Sequence, residues 1–144
     1  MSMLNNFVPA DLFVYMAGEE NINKDMIPKP LMPIIDLFIE DNGGKPLELV
    51  KIHAGRLFLQ GRNEQELMLR LNGPTFTVAR IEFAHKRQGY MTRLEKMLLD
   101  ICKDCPDKSG IRIESVETNE MLQYCLKNNY KQLPYCVCDF VKEA

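Results

Sequence analysis

Hydrophobic spacing divides the chain into blocks of two periods. From Pro33 to Glu40, Ile34, Ile35, Leu37, Phe38 and Ile39 supply an apolar face, proline suits the first turn, and Asn42-Gly43-Gly44 stops the run, which predicts a helix. Leu47 to Ala54 alternates as a strand: Leu47, Leu49 and Lys51 on one side, Val50 and Ile52 on the other. Gly55 turns the chain into a second strand at Arg56–Gln60. The stretch from Glu64 to Leu71 fits a third strand or a helical turn. Asn72-Gly73-Pro74 is a turn, and Thr75 to Phe83, β-branched and aromatic, reads as a buried strand. A well-marked helix follows, with Leu94, Met97, Leu98 and Ile101 at i, i+3, i+4 and i+7 and Arg93, Glu95, Lys96, Asp100 and Lys103 on the other face. Ile111 to Val116 alternates as a strand, Thr118 or Asn119 caps a shorter helix ending near Asn128-Asn129, and Tyr135 to Val141 closes as a strand. Near the N-terminus, Phe7 to Ala17 fits either a strand or a helix, Gly18 to Asp25 is polar, and Pro28, Pro30 and Pro33 impose extended or turning backbone. Strands, helix, strand, helix, strand make a mixed α/β sheet with crossovers on the C-terminal side.

Size and charge narrow the classes. A chain of 144 residues fits one domain, 1–144. Its 46% apolar and 26% charged residues are those of a soluble globule. The net charge of −2, with cations spread along the chain, argues against broad nucleic-acid binding. Without an apolar run near ~20 residues, no membrane span is expected, and the first residues lack the charged start and apolar core of a signal peptide. Five cysteines, an odd number, fit free thiols in a reducing compartment, so a cytoplasmic location is expected. Cys102 and Cys105 have C-x-x-C spacing, and Cys136 and Cys138 share one face of a strand; all read as small apolar side chains, and no metal site is assigned. His53 reads as a structural strand residue.

The most specific chemistry lies in the turn Lys86-Arg87-Gln88-Gly89-Tyr90-Met91-Thr92. It joins a strand to an amphipathic helix. The first N–H groups of that helix lack intrahelical partners and point outward. The helix dipole adds partial positive charge at the same place, and Lys86 and Arg87 add full charges. This is a grip for pyrophosphate, hence for a nucleotide-bearing cofactor.

These residues resemble the GNAT superfamily of N-acetyltransferases over Thr75 to Phe140, a little under half of the chain. In that superfamily a strand leads to an Arg/Gln-x-x-Gly-x-Gly/Ala loop, whose amides hold the pyrophosphate of acetyl-CoA, and to a long helix. The matching stretch here is Lys86-Arg87-Gln88-Gly89-Tyr90-Met91, and Tyr124-Cys125-Leu126-Lys127-Asn128-Asn129-Tyr130 sits where the superfamily's closing signature falls. Lys86 replaces arginine or glutamine, Met91 replaces a small residue and Asn129 replaces a glycine.

The resemblance implies a mostly antiparallel sheet flanked by helices, with a splayed strand pair forming the cofactor cleft. It implies acetyl-CoA as cofactor, held by Lys86, Arg87, Gln88, Gly89, Tyr90, Met91, Thr92 and Asn119, and a small-molecule or protein amine as acceptor, in a monomer or homodimer. A lysine-type amine is only about 0.04% unprotonated at pH 7, so a base is useful. Glu82 is the first candidate and His85 the second. A backbone amide near Ile81 or Phe83 would hold the oxyanion, and Tyr124, or Cys125, would protonate the departing thiolate. The alternative is a catalytically silent binding or regulatory module of the same fold.

Overall fold

The computed structural model describes residues 27–144. The N-terminal expectations, Phe7 to Ala17 and Gly18 to Asp25, lie outside the described residues. A 3-10 turn, Lys29–Leu31, leads into helix α1, Met32–Asp41. Strands β1 (Leu49–His53), β2 (Arg56–Gln60), β3 (Glu66–Arg70) and β4 (Thr75–Glu82) follow. Helix α2 (Tyr90–Lys103), β5 (Gly110–Ile113), α3 (Asn119–Lys127), β6 (Lys131–Leu133) and β7 (Cys136–Glu143) complete the order.

The strands form one seven-stranded open sheet in the order β1-β2-β3-β4-β5-β7-β6. Every pairing is antiparallel except that of β4 with β5. The ambiguous segment after Glu64 is a strand because Leu67 and Leu69 alternate inward with Leu57 and Leu59 of its neighbour. The parallel pair is central, and there Phe76, Thr77 and Val78 are buried in succession, as burial on both faces of a parallel strand requires. Ile34, Leu37 and Phe38 of α1 and Leu94, Leu98 and Ile101 of α2 complete the core, each side chain contributing roughly 1.5–3 kcal/mol by burial.

Several local expectations are corrected. Glu95 does not share the solvent face of α2: it is buried, and Lys142 Nζ lies 3.3 Å from its Oε1. The closing strand is a hairpin, because β6 precedes β7 and pairs with it. Thr118, not Asn119, caps α3, its hydroxyl accepting from Met121 N at 3.2 Å. Asn129 has φ 65°, the left-handed value that asparagine tolerates. His53 is exposed at the end of β1. Cys102, Cys105 and Cys125 are buried, and no two of the five cysteines form a disulfide.

Two strand ends are drawn apart. Strands β4 and β5 pair only from Thr75–Gly110 to Val78–Ile113. One more bond, from Glu114 N to Val78 O at 3.0 Å, closes the ladder. Beyond it the chain after β5 turns to β7. Ser115, at φ 54°, donates its N–H to Asp139 Oδ1 at 3.0 Å, and Val116 N donates to Cys138 O at 2.7 Å. Strand β4 continues beside β3 alone, after a register shift opposite Met68/Leu69 that leaves Ala79 without a partner. Its end is taken over by α1: Ala84 N and His85 N donate to the Asp41 carboxylate at 2.7 and 2.9 Å. Two buried aspartates, one on each side, therefore hold the strands open.

Candidate functional site

Between the parted strands lies a cleft of about 1230 Å³. Its floor is the outer half of β4, from Val78 to Glu82, with Phe83 just beyond, and its far wall is residues 113–115 with the start of α3. The sequence-derived candidates Ile81, Glu82, Phe83, Lys86 and Arg87 all line it. So do Gly89, Tyr90, Met91, Thr92, Asn119 and Tyr124. Gln88 is an exposed turn residue that is not among the lining residues.

The turn at the mouth of α2 is shaped by two left-handed residues, Arg87 at φ 62° and Gly89 at φ 78°. Alternation of this kind curls successive N–H groups toward one side and makes an anion-binding concavity. Gly89 is the N-cap, and no side chain caps the terminus. The first intrahelical bond is from Arg93 N to Gly89 O at 3.1 Å, which leaves the N–H groups of Tyr90, Met91 and Thr92 ahead of it. The turn is held from below by stacked rings. Phe38 of α1 lies 5.0 Å from Phe83, and Phe83 lies 5.5 Å from Tyr90. Arg93 crosses to Glu40 at 2.5 Å, tying α2 to α1. Met91 is half-buried: its side chain packs against the core while the residue also borders the cleft.

The charges in the cleft are balanced rather than cationic. Arg80, Lys86, Arg87 and Lys127 face Glu66, Glu82, Glu114, Glu117 and Glu120. Lys86 Nζ sits 2.6 Å from Glu82 Oε1, and hydrogen bonding to that carboxylate raises the lysine pKa. Arg87 lies 3.6 Å from Glu120. Arg80 makes no ion pair among the described residues and is available to an anion.

His85 is oriented. Its Nδ1 is 2.9 Å from the Asp41 carbonyl oxygen and 3.1 Å from Asp41 Oδ1. Both are acceptors, so Nδ1 is the ring nitrogen that carries a hydrogen toward Asp41, and Nε2 is the one turned away from it. Asp41 itself is fully buried and also accepts from Gln65 Nε2 at 2.8 Å. Sequence reasoning missed Asp41. The available signal was an acid in the last turn of a helix, where the dipole disfavours negative charge.

Tyr124 and Cys125 are separated by their surroundings. Cys125 is buried in the core, and burial lifts its thiol pKa to about 11. Tyr124 is half-buried, lines the cleft, and its hydroxyl donates to Met91 O at 3.4 Å. Burial, then the charge of Glu95, push its pKa well above the ordinary phenol value, so it stays a proton donor. Behind it, the Tyr130 ring lies 6.3 Å away, and the Tyr130 hydroxyl lies near Glu95 without forming a hydrogen bond.

No protein-family model matches the chain, and no curated protein matches it. Among the described residues no group of three His, Cys, Asp or Glu side chains is arranged to hold a metal ion. No helix of those residues is long and apolar enough to cross a membrane.

Proposed function

We propose that the chain is an acetyl-CoA-dependent N-acetyltransferase of the GNAT type. The observation that carries this reading is the junction of a strand-splay cleft with the uncapped, glycine-started N-terminus of α2. Pyrophosphate would rest on the amides from Gly89 to Thr92, with Lys86, Arg87 and Arg80 near and Asn119 on the opposite wall. The pantetheine arm would run along the unpaired side of β4, past Ile81 and Phe83, toward Tyr124.

In the reaction the amine nitrogen forms a bond to the acetyl carbon and the C–S bond breaks. The proton lost by the amine passes to Glu82 or His85, and the CoA sulfur takes a proton from Tyr124. His85 would accept through Nε2 when its ring is neutral, its Nδ1 being held by Asp41, and Glu82 would accept through Oε2, since Lys86 is bonded to Oε1. The acceptor is a small-molecule or protein amine. Five cysteines without a disulfide among them fit work in the cytoplasm.

Calorimetric titration with acetyl-CoA and CoA tests binding, and thiol release across an amine panel tests turnover. No heat at millimolar cofactor would sink the reading. A second reading, a binding module that holds CoA without turnover, is favoured by the Lys86–Glu82 pair, which engages one oxygen of a candidate base. Cofactor binding with no thiol release would select it.

A further inference from the structure

Strand alternation gives the sheet two faces. Ile52, Leu57, Leu59, Leu67, Leu69 and Val78 turn to the core shared with α1 and α2. The residues between them carry the opposite face, and the strand register sets its rows. In one row His53 faces Arg56 and Arg56 faces Arg70. That row runs on through Thr77 and Arg112 to Val141 and Lys131. In the next, Lys51 faces Phe58, Phe58 faces Met68 and Met68 faces Arg80. Cations that lie far apart in the sequence are thereby gathered on one side of the sheet.

Two features set this face apart from an ordinary solvated one. Arg56 and Arg70 are direct cross-strand partners, and like charges so placed cost stability. Glu114 relieves Arg70 and Asp139 relieves Arg112. Lys51, Arg56 and Lys131 form no ion pair among the described residues. The second feature is apolar. Phe58 and Met68 are half-buried, yet they stand outside both the core cluster and the side chains packed on it. An aromatic ring and a thioether flanked by arginines is the composition found at the centre of protein interfaces. Glu66 and Glu82, the facing carboxylates of this side, are in the third row, toward the cleft.

We propose that this face docks an extended acidic segment of a partner protein. An apolar side chain of the segment would rest on Phe58 and Met68, with its carboxylates on Lys51 and Arg56 and, at the far end of the row, on Lys131. Seven strands about 4.8 Å apart span roughly 29 Å, the length of an extended segment of about nine residues. Single-stranded nucleic acid is the other polyanion that a basic sheet could hold. It uses a platform of several aromatic rings, and Phe58 is the one ring in these rows. The docking does not depend on the transferase reading.

Fluorescence polarisation of the full chain with a labelled peptide of about ten residues, glutamate throughout with one central phenylalanine, tests this. The peptide is expected to bind roughly tenfold more tightly than its glutamine counterpart, because several partly exposed ion pairs add together. Binding should weaken as salt rises. Lys51→Glu/Arg56→Glu should abolish the preference for glutamate. Lys96→Glu/Lys103→Glu, which reverses two exposed charges on α2, should leave it unchanged. If the first double variant does not unfold cooperatively, Arg56→Gln, at an exposed position, should weaken the preference instead. Equal binding of the two peptides, an unchanged preference in the β1–β2 variants, or an equal loss in the α2 variant overturns the proposal. Tighter binding of a thymidine oligonucleotide than of the acidic peptide overturns it in favour of nucleic acid.

Discussion

Asp41 holds His85 by its main chain and its ring together: His85 N donates to Oδ1 at 2.9 Å while Nδ1 lies 3.1 Å from the same oxygen. The other oxygen takes Ala84 N and Gln65 Nε2. Every partner of this fully buried carboxylate is a donor. Asp41→Asn must therefore set an NH2 group against donors whichever way the amide is placed. We expect a loss of about 1–3 kcal/mol in urea unfolding and weaker acetyl-CoA binding, since the turn before Gly89 loses its anchor. Unchanged stability would show that this network does not fix the end of β4.

Gly89 separates backbone strain from charge. Its φ of 78° penalises any Cβ, yet a Cβ there would meet no atom within 4 Å. Gly89→Ala and Gly89→Asp should both lose about 1–2 kcal/mol from the left-handed conformation. Only the aspartate places a negative charge where pyrophosphate would rest. The expected result is acetyl-CoA binding at least about tenfold weaker in Gly89→Asp than in Gly89→Ala. Equal affinities for the two variants would place the diphosphate elsewhere.

Tyr124→Phe removes a hydroxyl whose bond to Met91 O is long, 3.4 Å. Stability should change by less than about 1 kcal/mol. Turnover should fall by about 10²-fold or more if the hydroxyl protonates the thiolate. Because burial and Glu95 raise its pKa, no alkaline limb from this phenol is expected near its ordinary value. A variant with wild-type turnover would remove Tyr124 from the chemistry.

The periodic elements were legible because local pattern and tertiary environment agree there. Leu94, Leu98 and Ile101 point inward as the helical spacing requires. Phe76, Thr77 and Val78 of β4 are buried as a β-branched and aromatic run suggests, whereas the outer half of the strand is only half-buried and Arg80 is exposed. The turn around Gly89 was legible because a positive φ and an open helix terminus leave a mark in residue type. What opens the cleft was not. Asp41 and Asp139 act on backbone amides 43 and 24 residues away in the chain, and no short-range pattern encodes such pairings. Glu95 was placed on the wrong face because its partner, Lys142, lies on the last strand. The β6–β7 hairpin escaped notice because β6 is three residues long, mostly exposed and without alternation.

Asp139 gives the cleft an acid limit. Burial favours its neutral form, but Arg112, bonded through Nη2 at 2.5 Å and Nε at 3.1 Å, together with the Ser115 amide, holds the carboxyl below its usual range. With the folded pKa below the unfolded value of about 3.9, the folded chain binds fewer protons than the unfolded chain across that window. The contribution is therefore complete above about pH 4 and is lost as pH falls through the folded pKa. Asp139→Asn should cost on the order of 2 kcal/mol at neutral pH, and the gap between variant and wild type should narrow as pH falls from about 4 toward 3. Urea unfolding of both proteins at a series of pH values measures it. A gap that stays constant into strong acid would mean that Asp139 acts through shape rather than charge, and that its hold on Ser115 is not what turns β5 away from β4.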